Sequence, residues 1–435
     1  MGGLSPRAPA TLDLLCRVVD NYGDIGVVYR LARSLEAAAR SRDLELRLRL
    51  HVDDLAAFRA LAPGLDPALP RQFHHNWEIL DWGAPASAFA PGGWGGPPTT
   101  VLECFASGRP PGLEEALFDP GRTDLRLVVN VEHLTAEAWA RDFHLLPSAT
   151  RSAHVKKSFF MPGFEAGTGG LIDDPGFRAA RETWAGVRAA GGETLAAARL
   201  DWARRAGLGR DLGSGPSRSL GRASASKLWL PLFSYEQDFS GPVADLARLE
   251  KTWPLLALVA AGRSAPPFLE AWEGAGRPFE ALALPFLPQE TWDELLLAAD
   301  FALVRGEESL ARVVLAGRPF LWQAYLQNED GDRHQLVKVG ALLELLRPHF
   351  PSPSFETLER AQLALNDRGR DSPAEPGLPP GALAPLLAAL SPPGAPPGPL
   401  EAGFASFAAS VAAQGELGEN LLSYLEACLP SSGSA

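Results

Sequence analysis

The sequence predicts an α/β protein built from two doubly wound domains. Short apolar runs of strand length alternate with segments of helical periodicity through both halves of the chain, the pattern of right-handed βαβ units around a parallel sheet. Between the halves, from about Gly167 to Ser226, the composition shifts to Gly, Ala, Arg and Ser, as domain linkers do. The 435 residues, 46% hydrophobic and 21% charged, are enough for two cores and far from the composition of a disordered chain.

In the first half, Leu12 to Val19 reads as a buried strand, and from Ile25 onward Val28, Leu31, Ala32, Leu35 and Ala39 share one helical face. Asp20-Asn21-Tyr22-Gly23-Asp24 is the turn between them, which belongs at the carboxyl edge of a parallel sheet, where such folds bind ligands. Further strands are expected at Leu44 to Val52, Thr100 to Phe105 and Leu125 to Val131, with helices at Ala56 to Leu61 and Thr135 to Arg141. One helix is expected within the linker, near Gly191 to Arg205, and the run around Asp211 to Arg222 reads as a loop.

The second half repeats the alternation more clearly. Strands are expected at Leu228 to Phe233, Leu255 to Ala260, Glu280 to Leu284, Phe301 to Val304 and Pro319 to Gln323. Helical patterns lie at Pro242 to Lys251, Pro267 to Glu273, Gln289 to Ala299, Glu308 to Ala316 and Gln335 to Leu346. Asp371 to Pro399 is rich in Pro and reads as a loop with a short helix inside. One amphipathic helix, Phe404 to Leu429, closes the chain. These elements place residues 1–210 in an N-terminal domain with its linker and 223–400 in a C-terminal domain. Residues 401–435 are expected as a helix with a face to pack back, on the N-terminal domain in this division.

The 43 glycines and 39 prolines exceed the roughly 12% of residues they usually make up and belong to loops. A formal net charge of −12 argues against a protein that coats nucleic acid or an anionic membrane. Cys16, Cys104 and Cys428 are odd in number and widely spaced, which suits buried thiols rather than disulfides or structural zinc. With no signal sequence and no run of 18 apolar residues, a cytoplasmic protein is expected. G-x-G-x-x-G spacing is missing from the Asp20 turn, and G-x-x-x-x-G-K-[ST], H-E-x-x-H and G-x-S-x-G are missing throughout, which disfavours dinucleotide, P-loop, zinc-protease and serine-hydrolase chemistry. His74-His75 and Lys156-Lys157 read as solvated pairs, and no metal site is expected.

Three constellations remain. Asp20 and Asp24 either form the turn and cap the helix or offer two carboxylates for chemistry. In Arg305-Gly306-Glu307-Glu308-Ser309, Arg305 and the N–H groups at the helix start can hold a diphosphate; equally, this can be an ordinary turn with acids at a helix N-terminus. Phe233, Tyr235, Phe286, Gln289 and Trp292 follow strands that would share an edge with Arg305. They suit a sandwiched planar base read by Gln289, or plain core filling.

Taken together, these segments make the sequence resemble the protein-arginine rhamnosyltransferases that modify bacterial translation elongation factor P, the EarP family. The resemblance rests on VVDNYGDIGVVYRLARSL at Val18 to Leu35, NVEHLTAEAW at Asn130 to Trp139, FFMPGFEAGTGGL at Phe159 to Leu171 and LPLFSYE at Leu230 to Glu236. It continues in LPFLPQ at Leu284 to Gln289 and in RGEESLARVVLAGRPFLWQAYLQNEDGDRH at Arg305 to His334. It implies a GT-B glycosyltransferase with its two Rossmann-like domains facing across a cleft, metal-independent and inverting. Such an enzyme moves L-rhamnose from dTDP-β-L-rhamnose to one arginine of elongation factor P and needs no cofactor. By the family pattern the factor docks mainly on the N-terminal domain, and Asp20, Asp24 and Glu307 are the essential acids. The donor set is Phe233, Tyr235, Phe286 and Gln289 for the nucleotide, with Arg305, Gly306, Glu308, Ser309 and Tyr325 at the diphosphate; Trp292 and the turn residues Asn21, Tyr22 and Gly23 are counted with it. The family usually has Tyr at His133, Asp at Glu308 and a W-H-x-Y-P-Q type run where this chain has Trp322 to Gln327. A different nucleotide-sugar transferase or epimerase, and a catalytically silent nucleotide-binding adaptor, stand as the alternatives.

Overall fold

The computed structural model describes residues 10–19, 22–94, 96–208, 220–325, 334–367, 378–392 and 395–428. The chain divides into two compact units, Met1–Pro175 with Val411–Ala435, and Gly176–Ser410.

The first unit is organised by an eight-stranded sheet of β1 (Ala10–Cys16), β2 (Leu46–Val52), β3 (Arg71–His74), β4 (Trp77–Asp81), β5 (Thr100–Cys104), β6 (Arg126–Val131), β7 (Pro147–Ser148) and β8 (Val155–Phe160). Its order is β3-β4-β2-β1-β5-β6-β8-β7. The six inner strands are parallel, and β3 and β7 pair antiparallel at the edges. Counting parallel strands alone, the order is 3-2-1-4-5-6, the doubly wound dinucleotide-binding topology whose switch point lies between β1 and β5. Leu14, Leu50, Leu102 and Val129 from four central strands meet Ile25, Val28 and Leu35 of the helix Gly23–Ser41 in one core.

The second unit holds a five-stranded parallel sheet of β9 (Leu228–Leu232), β10 (Leu255–Val259), β11 (Glu280–Ala283), β12 (Ala302–Arg305) and β13 (Phe320–Gln323). The order β11-β10-β9-β12-β13 repeats the same winding, with its switch point between β9 and β12. Both Rossmann-like sheets match the expected fold class.

Several expectations need correction. The two units divide at Pro175, near the start of the expected linker, because the helices Pro175–Ala190 and Gly192–Arg205 are tied to the second unit. Arg188 donates to Leu297 O (3.1 Å) and Ala298 O (2.9 Å), and Arg199 to Ala298 O and Asp300 Oδ2 (both 2.7 Å). Both guanidiniums thus cap the C-terminal carbonyls of the helix Gln289–Ala298, where the macrodipole favours cations. The last helical segment is two helices, Pro399–Ala412 and Leu417–Cys428, broken where Gly415 takes φ 89° and Leu417 N–H bonds back to Leu171 O at 2.8 Å; Leu429 lies outside the described residues. Of these two helices, Leu417–Cys428 packs on Gly23–Ser41, with Ser34 Oγ donating to Glu416 at 2.5 Å and Arg42 paired with Glu426 at 2.8 Å. The Thr135 helix begins later, at Trp139–Phe143, because the Thr135 hydroxyl accepts Glu137 N–H at 3.1 Å and closes a local turn first. His74 and His75 are not simply solvated: both Nε2 atoms lie near the Tyr29 hydroxyl, at 3.2 and 3.1 Å. Lys157 of the expected solvated pair sits in β8, 3.6 Å from the buried Glu103 carboxylate. Cys16 and Cys104 are buried and Cys428 is half-buried, all three free.

Candidate active site

In the first unit the informative edge is the carboxyl end of β1 and its neighbours. Asp20 and Asn21 lie outside the described residues; Tyr22, Gly23 and Asp24 are described. Asp24 stands in the first turn of the helix Gly23–Ser41, 9% exposed, and its Oδ2 accepts Val19 N–H at 2.8 Å. Asp53, which follows β2, accepts Val18 N–H at 2.8 Å and faces Arg17 at 3.7 Å. Two carboxylates therefore hold the segment leading into the turn, while Val19 and Tyr22 stay exposed.

Carboxylates gather along this edge, among them Asp24, Asp53 and Glu103, the last paired with Arg109 at 2.7 Å. Burial pushes the Cys16 and Cys104 thiols up, and Asp24 pushes both further, joined by Asp53 at Cys16 and by Glu103 and Glu132 at Cys104. A cationic acceptor is the chemical complement of such an edge. Phe105 stacks flat on His133 there, 4.4 Å between centroids and 18° between planes, a pair that no sequence motif marks. Phe105 and Ala106 both hold positive φ, 58° and 50°, in a region that side chains bearing Cβ rarely occupy. Nothing in the sequence signals that backbone.

In the second unit the site builds around Arg305, the last residue of β12. Its guanidinium carbon lies 4.6 Å from the Phe233 ring centroid and 4.5 Å from that of Tyr235, so the cation is held against two aromatic rings. Phe233 meets Trp292 edge-on at 5.6 Å, and Tyr235 meets Tyr325 likewise at 5.9 Å. The structure thus brings Phe233, Tyr235, Trp292, Arg305 and Tyr325 into one cluster. Phe286 and Gln289 follow β11 on the same edge: Phe286 is 53% exposed, and Gln289 opens the helix that carries Trp292.

Gly306 begins the helix Gly306–Ala316 at φ 72°, and its carbonyl accepts Trp322 Nε1–H at 3.1 Å. The first turn carries Glu307 and Glu308, with Ser309 buried behind them. Glu308 accepts from Arg312 Nε at 3.1 Å, one turn on; Glu307 is half-buried. Arg305 Nε is buried with no hydrogen-bond acceptor among the described residues. A cation and a helix N-terminus at a switch point are able to hold an anion. Gln323, outside the expected donor set, accepts Tyr235 N–H on its Oε1 at 2.8 Å.

A family model described as "Elongation-Factor P (EF-P) rhamnosyltransferase EarP" matches residues 12–425. This chain belongs to the EarP family. Its relatives include the protein-arginine rhamnosyltransferases of Pseudomonas putida, 36% identical over 75% of this chain and 80% of the relative, and of Pseudomonas aeruginosa, 33% identical over 85% and 90%. That of Neisseria meningitidis serogroup B is 32% identical over 73% and 74%. Among solved structures, one described as "Structural basis for EarP-mediated arginine glycosylation of translation elongation factor EF-P" aligns with 97% of this chain and all of its own, at TM-score 0.55 and 23% identity. This chain has the GT-B fold, two Rossmann-like domains. Among the described residues no helix is long and apolar enough to cross a membrane.

Proposed function

We propose that this EarP-family chain transfers L-rhamnose from dTDP-β-L-rhamnose to an arginine side chain of elongation factor P, with inversion and without a metal ion. The donor half of this reading is carried by the Arg305 cluster: a guanidinium against Phe233 and Tyr235, with a buried N–H that has no acceptor among the described residues, beside a helix N-terminus. That arrangement suits a nucleoside diphosphate, the rings serving the base and the positive charge serving the leaving group. The acceptor half is supported by the acidic edge of the first unit.

A guanidinium stays protonated below a pKa of about 12 and is a poor nucleophile until a carboxylate takes its proton. In this reading Asp20 is that base, while Asp24 and Glu307 orient the reacting groups for in-line attack. The arginine nitrogen bonds to the anomeric carbon, the bond from that carbon to the diphosphate oxygen breaks, and dTDP leaves. Attack opposite the leaving group converts the β-linked donor into an α-linked product.

The test is intact mass spectrometry of elongation factor P after incubation with purified protein and dTDP-rhamnose. One added deoxyhexose is expected, and no addition with active donor defeats the proposal. Asp20→Asn should abolish transfer and leave donor binding largely intact; a normal rate removes Asp20 as base.

A further inference from the structure

We propose that Gln323 is a donor-binding residue: its side-chain N–H groups bind the diphosphate of a nucleoside-diphosphate sugar, while its carbonyl oxygen pins the aromatic loop that carries the base. The inference rests on the donor reading above and deepens it by naming a residue outside the donor set.

Gln323 ends β13 and is the register partner of Arg305 at the end of β12. Partners on neighbouring parallel strands project their side chains from the same face, so the two leave the sheet together. The strand order is β9-β12-β13, yet Gln323 Oε1 bonds to the N–H of Tyr235, which follows β9. The amide therefore crosses the carboxyl end of β12, where the Arg305 guanidinium lies against Phe233 and Tyr235.

Gln323 is 1% exposed, and its Nε2, like Arg305 Nε, is buried with no acceptor among the described residues. Leaving a buried donor unpaired is costly, and native structures rarely keep two on paired positions. Two orphan donors on paired positions, beside the N-terminus of the helix Gly306–Ala316, share one chemical need, a multivalent anionic acceptor. A diphosphate supplies it. A carboxylate in the chain at this point would have paired the donors permanently and repelled the leaving group.

The experiment titrates the full-length protein at pH 8 with dTDP and, by displacement, with thymidine, which lacks the diphosphate. Gln323→Glu keeps an acceptor for Tyr235 N–H and replaces the N–H groups with a negative charge. It should keep its melting temperature and thymidine affinity while dTDP affinity falls at least tenfold, about 1.4 kcal/mol. Gln323→Met removes both ends at similar volume and decides the matter if the Glu variant does not fold. Its dTDP affinity should fall further than its thymidine affinity. An unchanged ratio of dTDP to thymidine affinity in the folded variant overturns the inference alone. Wild-type protein that binds dTDP no better than thymidine overturns the donor reading and this inference together.

Discussion

Asp24 offers the sharpest division between architecture and chemistry. Its Oδ2 accepts Val19 N–H at 2.8 Å, so the residue is a clamp on the turn whatever else it does. Asp24→Asn keeps the size and one acceptor oxygen but removes the charge; Asp24→Ala removes both. A charge-assisted hydrogen bond contributes about 1.5–3 kcal/mol and a neutral one about 0.5–1.5 kcal/mol. The Asn variant should therefore lose about 1 kcal/mol of stability, a melting shift of about 2–4 °C for a unit of this size. The Ala variant should lose up to about 3 kcal/mol. If Asp24 also faces the acceptor guanidinium, a pair at about 4 Å near the protein surface is worth up to about 4 kcal/mol. The acceptor kcat/KM of Asp24→Asn then falls by up to about a thousandfold, far more than its melting shift explains. Initial rates by intact mass and thermal melts on the same samples check this. A kcat/KM within threefold of wild type in Asp24→Asn would refute the electrostatic role and leave only the clamp.

Arg305→Lys keeps the charge but loses the planar fork and its stacking on Phe233 and Tyr235; donor KM should rise about tenfold with acceptor KM unchanged, and an unchanged donor KM counts against the anion site. Glu416 tests the docking of the helix Leu417–Cys428: burial pushes its carboxyl up, against the hydrogen bonds from Ser34 and the Glu419 N–H. A carboxyl raised in the folded state contributes stability that is fully present below its unfolded pKa of about 4.3 and is lost as pH rises through the folded value. The melting advantage of wild type over Glu416→Gln should therefore be larger at pH 4 than at pH 7, and a gap that widens with pH refutes it.

The second unit was legible because its strands are buried on both faces: Leu255–Val259 is a continuous apolar run, as parallel strands are. The first unit hides strands where that rule fails. Arg71–His74 is an antiparallel edge with alternating exposure, and Val155–Phe160 contains two lysines, one exposed and one neutralised by Glu103. Composition marks the stretch between the units, whereas Arg188 and Arg199 decide which unit the two helices within it join. At the site, Phe233, Tyr235, Trp292 and Arg305 were readable because βα turns of a parallel sheet share one edge. Gln323 was not, since its reach across β12 depends on register. The Phe105 stack depends on a backbone conformation that no local residue pattern announces.

The helix Leu417–Cys428 packs on Gly23–Ser41, the helix that starts at the aspartate turn, although the chain makes the whole second unit in between. On the ribosome about 235 residues separate the two parts of the first unit, which at about 5–20 residues per second is a delay of roughly 10–50 s. During that interval the surface of Gly23–Ser41 that receives the last helix is open to water or to chaperones. The second unit, continuous in sequence, can fold first. A product cut short before residue 417 therefore carries a second unit with all of its own sequence and a first unit that lacks its last helix.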